Sequence, residues 1–329
     1  MLSYQTNYMN SFELLSEKFA LHFEKRHFPQ EPASLYEAND YFLKLGGKRI
    51  RPALVLMGNE LFDDIHADAW QVATAIELFH NFTLIHDDIM DRAPLRRGMQ
   101  TVHEKFGHNT ALLGGDVMLV TAYEYLNKVG LKHIHQVFQL FNRTAREVCE
   151  GQQLDIDFEK KEYVSHGEYL HMIGLKTSVL LAACLRLGAI LGGAGERNQA
   201  LLYEFGRKLG ISYQVQDDYL DAFADPVKFG KQIGGDILSN KKTFLLIHAL
   251  ESGSAAQNLE LQSLMKGNAP DKVEKVISIF RDCKVDQWAL QLKNKYLDEA
   301  LGHLEDIAVI SRRKIPLVSL AHFLVQREY

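Results

Sequence analysis

The seven prolines of this chain stand at positions 29, 32, 52, 94, 226, 270 and 316, leaving 95–225 without one. A proline inside a helix removes a backbone donor and clashes with the preceding turn, so a proline-free stretch of this length is open to long uninterrupted helices. Apolar residues recur there at helical spacing, as in Val117, Val120, Thr121, Tyr123 and Tyr125, or Thr177, Leu180, Leu181, Cys184, Leu185 and Leu187. Period-two alternation bounded by hairpin turns is absent, which predicts no sheet. Glycine pairs at 46–47, 114–115, 192–193 and 234–235 mark turns or close approaches between the helices. Length alone would suggest about two domains. Because no Ser/Gly/Pro-rich linker or like-charge run divides the chain, the expectation is one all-α domain over 1–329, a bundle of about ten or more helices.

Two copies of one acidic pattern end long apolar helical stretches: Asp87-Asp88-Ile89-Met90-Asp91 and Asp217-Asp218-Tyr219-Leu220-Asp221. Residues i and i+4 lie on one helix face, so Asp87 pairs with Asp91 and Asp217 with Asp221 as stacked carboxylates. Pro94 and Pro226 follow closely and are expected to end each helix just past its acids. There the helix dipole disfavours anions. Hard divalent ions such as Mg²⁺ take carboxylate oxygens and complete their shell with water and phosphate, so the pattern points to a magnesium-bridged diphosphate. One such motif could be a solvated helix end; two in apolar settings argue for metal.

The net charge of −5 argues against general nucleic-acid binding, which needs a basic face. Cys149, Cys184 and Cys283, odd in number and widely spaced, suggest neither a disulfide framework nor a zinc site. They read as core thiols of a reducing cytoplasm. The N-terminus shows no basic region followed by an apolar one, and no stretch reads as the roughly 18 apolar residues of a membrane span.

Cations accompany the acids. Gly46-Gly47-Lys48-Arg49-Ile50-Arg51-Pro52 sets three on a glycine-opened turn, Arg96-Arg97-Gly98 follows the first acidic motif, and Lys231, Lys241 and Lys242 follow the second. Lys176-Thr177 interrupts an apolar helix, where a buried lysine needs a partner. Each cluster alone could be a surface turn. Their placement beside acidic motifs or inside an apolar helix favours a phosphate site.

Together these residues strongly resemble the trans-isoprenyl diphosphate synthases of the polyprenyl synthetase family, over nearly the whole chain. The shared series comprises the Gly46–Pro52 turn, the first acidic motif with Arg96-Arg97-Gly98 and Thr101-Val102-His103, the Gly151-Gln152-Gln153-x-Asp155 element, Lys176-Thr177, Gln214 with the second acidic motif, and the later lysines. Gln100 departs from it, since the family often has proline before Thr101. The resemblance implies an isoprenoid synthase-like bundle around a central substrate cavity, and a homodimer. It implies about three Mg²⁺ ions per site, holding an allylic diphosphate through Asp87, Asp91 and Asp217, with Asp88, Asp218 and Asp221 in direct or water-mediated support. Arg96, Lys176, Lys231 and Lys241 would hold the same diphosphate. Isopentenyl diphosphate, needing no metal, would be gripped by Lys48, Arg51, His80 and Arg97. Lys176, Thr177 and Gln214 are the implied catalytic set, with the Thr177 hydroxyl and Gln214 oxygen stabilising an allylic carbocation. The departing pyrophosphate would take the final proton, so neither His86 nor His103 is needed as a base, and His86 reads as a packing residue.

Competing readings remain open. A terpene cyclase shares the fold and the first acidic motif but lacks the Gly-Gly-Lys-Arg turn; a non-catalytic subunit of a heteromeric synthase would have lost acidic residues; a longer-chain polyprenyl synthase would keep them all. Phe79, Phe82 and Thr83 lie eight, five and four residues before Asp87, one to two turns below it. Within the resembled family a bulky residue at the fifth position floors the elongation tunnel, although Phe79 and Phe82 could equally be plain core aromatics. The expectation is a short-chain synthase making farnesyl or geranylgeranyl diphosphate, the fifteen-carbon product favoured by the bulk of Phe79.

Overall fold

The computed structural model describes residues 10–224, 233–267 and 269–326. Helix dominates, as the proline spacing predicts: α1 (Phe12–Phe23), α2 (Ala33–Lys44), α3 (Ile50–Glu60), α4 (Ala67–Met90), α5 (Val102–Phe106), α6 (His108–Leu126), α7 (Ile134–Lys160), α8 (His166–Ile173), α9 (Val179–Leu191) and α10 (Glu196–Phe223). Helices Gly235–Leu238, Phe244–Ser252, Ala255–Lys266, Lys272–Asp282, Val285–Glu305 and Ser311–Gln326 follow. Pro226 lies outside the described residues.

Two features depart from the sequence reading. A small antiparallel ribbon, Leu95–Arg96 against Met99–Gln100, stands where no sheet was expected. Two residues per strand leave no alternation to detect. The turn residues Arg97 and Gly98 both have positive φ, 55° and 76°, as a two-residue primed hairpin turn requires. The second departure is a π-helical turn, Gly174–Ser178, between α8 and α9. The whole run His166–Leu191 is long and apolar enough to cross a membrane by composition, yet 72% of its most apolar window is buried inside the protein, as in a core helix.

Residues divide into two compact units, one up to Phe141 together with Cys184–Gln199, the other Asn142–Ala183 with residues from Ala200 onward. In the first, α4 packs along α6 and α3, with Phe19, Phe42, Leu54, Met57, Phe79 and Phe141 nearly or fully buried. Asn59 joins α3 to α4: its Oδ1 accepts from His66 N at 3.0 Å, and its Nδ2 donates to Asp64 O at 3.1 Å. His66 then caps α4 by accepting from Asp68 N at 3.1 Å. In the second unit, Tyr169, Phe244, Leu245, Val276, Phe280 and Val285 belong to one buried cluster. α8 begins with a capping box in which Ser165 and Glu168 each bond the other's backbone N–H.

Glycines set the closest approach in the first unit. A Cβ on Gly58 would overlap Leu185 O, one on Gly188 would overlap Val55 O and lie 2.6 Å from Asn59 N, and one on Gly192 would lie 2.6 Å from Asn59 O. The backbones of α3 and the end of α9 therefore touch directly. Gly188→Ala is expected to destabilise the protein by about 1–3 kcal/mol or more through overpacking. Urea unfolding reads this, and a midpoint unchanged from the native protein would show that these helices can part without cost.

Candidate active site

In the first unit, α4 delivers Asp87 and Asp88 in its last turn and is capped by Asp91, whose N–H donates to Asp87 O at 2.8 Å. Asp88 turns inward and is 1% exposed. Arg96, on the small ribbon, answers it side-on: Nε lies 2.8 Å from both Asp88 oxygens and one Nη 2.7 Å from Oδ1. The same Nη is 3.7 Å from Asp87 Oδ2. Burial pushes the Asp88 pKa up, the Arg96 bonds and charge oppose this, and Asp87 adds to it. Arg96 thus fixes the Asp88 carboxylate.

The basic loops meet in the same unit. Arg97 donates to Gly46 O, and a Cβ on Gly47 would lie 2.9 Å from an Arg97 Nη. The ribbon and the Gly46–Arg51 turn are thereby tied together, and Gly47 is required by contact as well as by its φ of 146°. Arg49, at φ 49°, caps α3 and forms a buried ion pair with Glu77. Lys48 is exposed, and its carbonyl accepts from Ser16 Oγ at 3.0 Å. Arg51 Nη1 donates to His80 Nε2 at 2.9 Å. Arginine can only donate, so Nε2 carries the lone pair and Nδ1 the hydrogen. Burial, then the charges of Arg51, Arg97, Arg96 and Arg49, hold the His80 pKa well below the ordinary histidine range. A neutral imidazole donor thus stands among four guanidinium groups. Arg51 Nε is buried without a hydrogen-bond partner.

In the second unit the π turn carries Lys176 and Thr177. It is gripped by two glycines: a Cβ on Gly151 of α7 would overlap Lys176 N, and one on Gly210 of α10 would lie 2.6 Å from Ser178 Cα. The lysine's partner is Asp155, at 2.6 Å. Thr177 Oγ1 donates to Gln214 Oε1 at 3.1 Å, Gln214 Nε2 to Asp218 Oδ1 at 2.8 Å, and Tyr169 OH to Asp218 Oδ2 at 2.6 Å. Asp218 is 4% exposed, and burial followed by the Asp236 charge pushes its pKa well up, against the Tyr169 and Gln214 bonds. Asp221 Oδ2 accepts from Asp236 N at 3.0 Å, and burial raises its pKa too. Asp236 itself rises to about 6, through burial and then Asp221, Asp217 and Asp155, with Lys241 opposing from 3.7 Å. Lys242 instead bonds the end of α7, donating to Phe158 O at 2.7 Å and Glu159 O at 3.0 Å. Lys231 lies outside the described residues. Asp155, Tyr169 and Asp236 had no role in the sequence reading; Asp155 ends the Gly151–Asp155 element and Asp236 directly follows the glycine pair at 234–235, while nothing marks Tyr169 out.

Below Asp87, Phe79 and Phe82 are buried with ring centres 5.7 Å apart. Phe79 also meets Phe141 edge-on at 5.3 Å, and Phe82 meets His86 at 4.8 Å. Thr83 is half-buried and its hydroxyl donates to His80 O at 2.8 Å. His86 bonds Leu112 O at 3.0 Å and fills the space left by Gly115. It is a packing residue, in line with the reading made from its setting.

The polyprenyl synthetase family profile matches residues 32–283. The chain belongs to that family. It is 38% identical over 301 residues to a geranylgeranyl diphosphate synthase of Methanosarcina mazei, covering 91% of each chain. It is 34% identical over 319 residues to a geranylfarnesyl diphosphate synthase of Natronomonas pharaonis, covering 91% of this chain and 92% of that one. A geranylgeranyl pyrophosphate synthetase structure from Pyrococcus horikoshii matches with a TM-score of 0.91 at 34% identity, over 96% of this chain and 98% of that one. That solved relative carries the same all-α isoprenoid synthase fold.

The Arg49–Glu77 pair gives a stability test, because removing one partner of a buried ion pair strands the other. Glu77→Ala is expected to lose about 3–5 kcal/mol in urea unfolding. A loss under about 1 kcal/mol, the worth of an exposed pair, would mean that Arg49 finds water or another acceptor.

Proposed function

We propose that this member of the family condenses isopentenyl diphosphate with an allylic diphosphate, releasing pyrophosphate, and that it stops at geranylgeranyl diphosphate. The observation that carries the reading is the donor cluster of Arg49, Arg51, Arg96 and Arg97 around neutral His80, which suits a diphosphate bound without metal. A cyclase, acting on one prenyl diphosphate, has no use for it. The relatives named for geranylgeranyl and geranylfarnesyl products favour twenty carbons over the fifteen suggested by Phe79 alone. The family match crosses both compact units, which supports treating the chain as one domain. By resemblance it acts as a cytoplasmic homodimer.

Asp87, Asp88 and Asp91, and Asp217, Asp218 and Asp221, are proposed as the ligands of about three Mg²⁺ ions. Their chemistry fits: hard oxygen donors, Asp88 and Asp218 buried, with the pKa values of Asp88, Asp218 and Asp221 raised by burial and by neighbouring carboxylates. Magnesium, when bound, would neutralise charge developing on the leaving diphosphate. Arg96, Lys176, Lys231 and Lys241 would add fixed positive charge to that group, while Lys48, Arg51, His80 and Arg97 grip isopentenyl diphosphate. Thr177 and Gln214 turn oxygen atoms toward the allylic cation, and the apolar rings below exclude water from it. The departing pyrophosphate takes the proton lost after the carbon–carbon bond forms.

Labelled isopentenyl diphosphate with an allylic starter tests the reading: labelled twenty-carbon diphosphate is expected, and turnover of prenyl diphosphate alone would point to a cyclase. Asp87→Ala or Asp217→Ala should lower turnover on the order of 10²–10³-fold at saturating Mg²⁺; near-normal rates would remove those aspartates from the metal site. Lys48→Ala and Arg51→Ala should raise the Michaelis constant for isopentenyl diphosphate roughly tenfold or more, since charge-assisted bonds contribute about 1.5–3 kcal/mol each. Equal changes for the allylic substrate would contradict separate binding groups. Phe82→Ala should lengthen the products while leaving allylic affinity nearly intact, and an unchanged distribution would mean that another residue sets the floor.

A further inference from the structure

The second unit holds a cluster unrelated to phosphate chemistry. His166, the first residue of α8, and His248 and Glu251, three apart on the Phe244–Ser252 helix, bring one ligand atom each within 4.8 Å of one another. His166 Nε2 lies 3.1 Å from Glu251 Oε2. That approach is not aligned as a hydrogen bond, and Nε2 is buried without a partner. A buried imidazole nitrogen this close to a carboxylate oxygen, with no aligned hydrogen bond between them, is an arrangement that a shared cation satisfies.

The surroundings hold the three groups in place. Glu251 Oε1 accepts from Tyr163 OH at 2.9 Å. The His248 ring stacks on Trp288, centres 3.9 Å apart and planes 5° from parallel, and His166 lies 4.8 Å from the same indole. A hydroxyl that orients a ligating carboxylate and packing that fixes a ligating imidazole are the usual outer supports of a metal.

We propose that His166, His248 and Glu251 bind a borderline transition-metal ion of the Zn²⁺ class, with water completing a tetrahedral shell. Two imidazoles and a carboxylate suit zinc, nickel or copper better than magnesium. Bond lengths of about 2.0–2.1 Å place tetrahedral ligand atoms roughly 3.3–3.4 Å apart. His166 and Glu251, at 3.1 Å, lie close to that spacing, and the other separations, within 4.8 Å, would close on the ion. The ion would tie the start of α8 to the Phe244–Ser252 helix.

The test is Zn²⁺ titration of the full-length protein in excess Mg²⁺, which occupies the all-aspartate sites, with Co²⁺ absorption as a second probe of imidazole ligation. The native protein is expected to bind Zn²⁺ with a rise in thermal midpoint. His166→Gln should weaken that binding at least tenfold and abolish the midpoint rise. Glu251→Gln, on an exposed side chain that keeps its shape, should do likewise while unfolding as the native protein does in EDTA. Turnover with Mg²⁺ alone should be unchanged in Glu251→Gln. Zinc affinity equal in the native protein and both variants would overturn the proposal, as would absence of binding to the native protein.

Discussion

A carboxylate taken out of water costs several kcal/mol unless donors or cations replace its hydration. Asp88 and Asp218, 1% and 4% exposed, occupy corresponding positions of the two acidic motifs, and their surroundings are arranged around that cost. Asp88 receives a side-on guanidinium from Arg96, a full compensating charge. Asp218 receives only the neutral donors of Tyr169 and Gln214, while Asp236 adds negative charge. Asp88 is therefore balanced within the protein. Asp218 meets only neutral donors, the condition under which a hard cation gains most from binding.

The same contrast runs through the cations. In the first unit, Arg51, Arg96 and Arg97 act together closely enough that each disfavours a proton on His80. In the second, Lys176 lies beside Asp155 and Lys241 beside Asp236. Guanidinium groups with their fixed forks suit multidentate phosphate recognition; lysines act as compact charges that can move between a carboxylate and a phosphate. Residue type alone thus separates the two sets of cations.

Much of this was legible in the chain, for identifiable reasons. Long helices announce themselves by period and by the lack of proline, so α6 was expected from Val117–Tyr125, α9 from Thr177–Leu187, and α4 and α10 from the apolar stretches before the two acidic motifs. Acidic and basic motifs were visible because they break apolar context. What escaped was structure that leaves no periodic trace. The Leu95–Gln100 ribbon has two residues per strand, and the π turn at Gly174–Ser178 inserts one extra residue into a helix whose composition does not change. Tyr169 is invisible for another reason: a buried tyrosine looks like core until its hydroxyl is seen to meet Asp218.

The π turn also explains how a polar pair can interrupt an apolar helix usefully. In a regular α-helix Lys176 and Thr177 would continue the packing stripe of α8. Widening the turn by a residue changes where they point, and the close contacts at Gly151 and Gly210 leave the turn no room to relax. Thr177 then donates to Gln214, and the Gln214 amide nitrogen donates to Asp218. Rotating that amide by half a turn would set nitrogen against the Thr177 hydroxyl and oxygen against a carboxylate, losing the bond to Asp218 and placing two acceptors together. Asp218, itself fixed by Tyr169, thereby dictates that Gln214 keeps its oxygen toward Thr177. A buried acid held by two hydrogen bonds thus sets the direction of the neutral dipole proposed to face the allylic cation, and that orientation needs no reorganisation when charge develops.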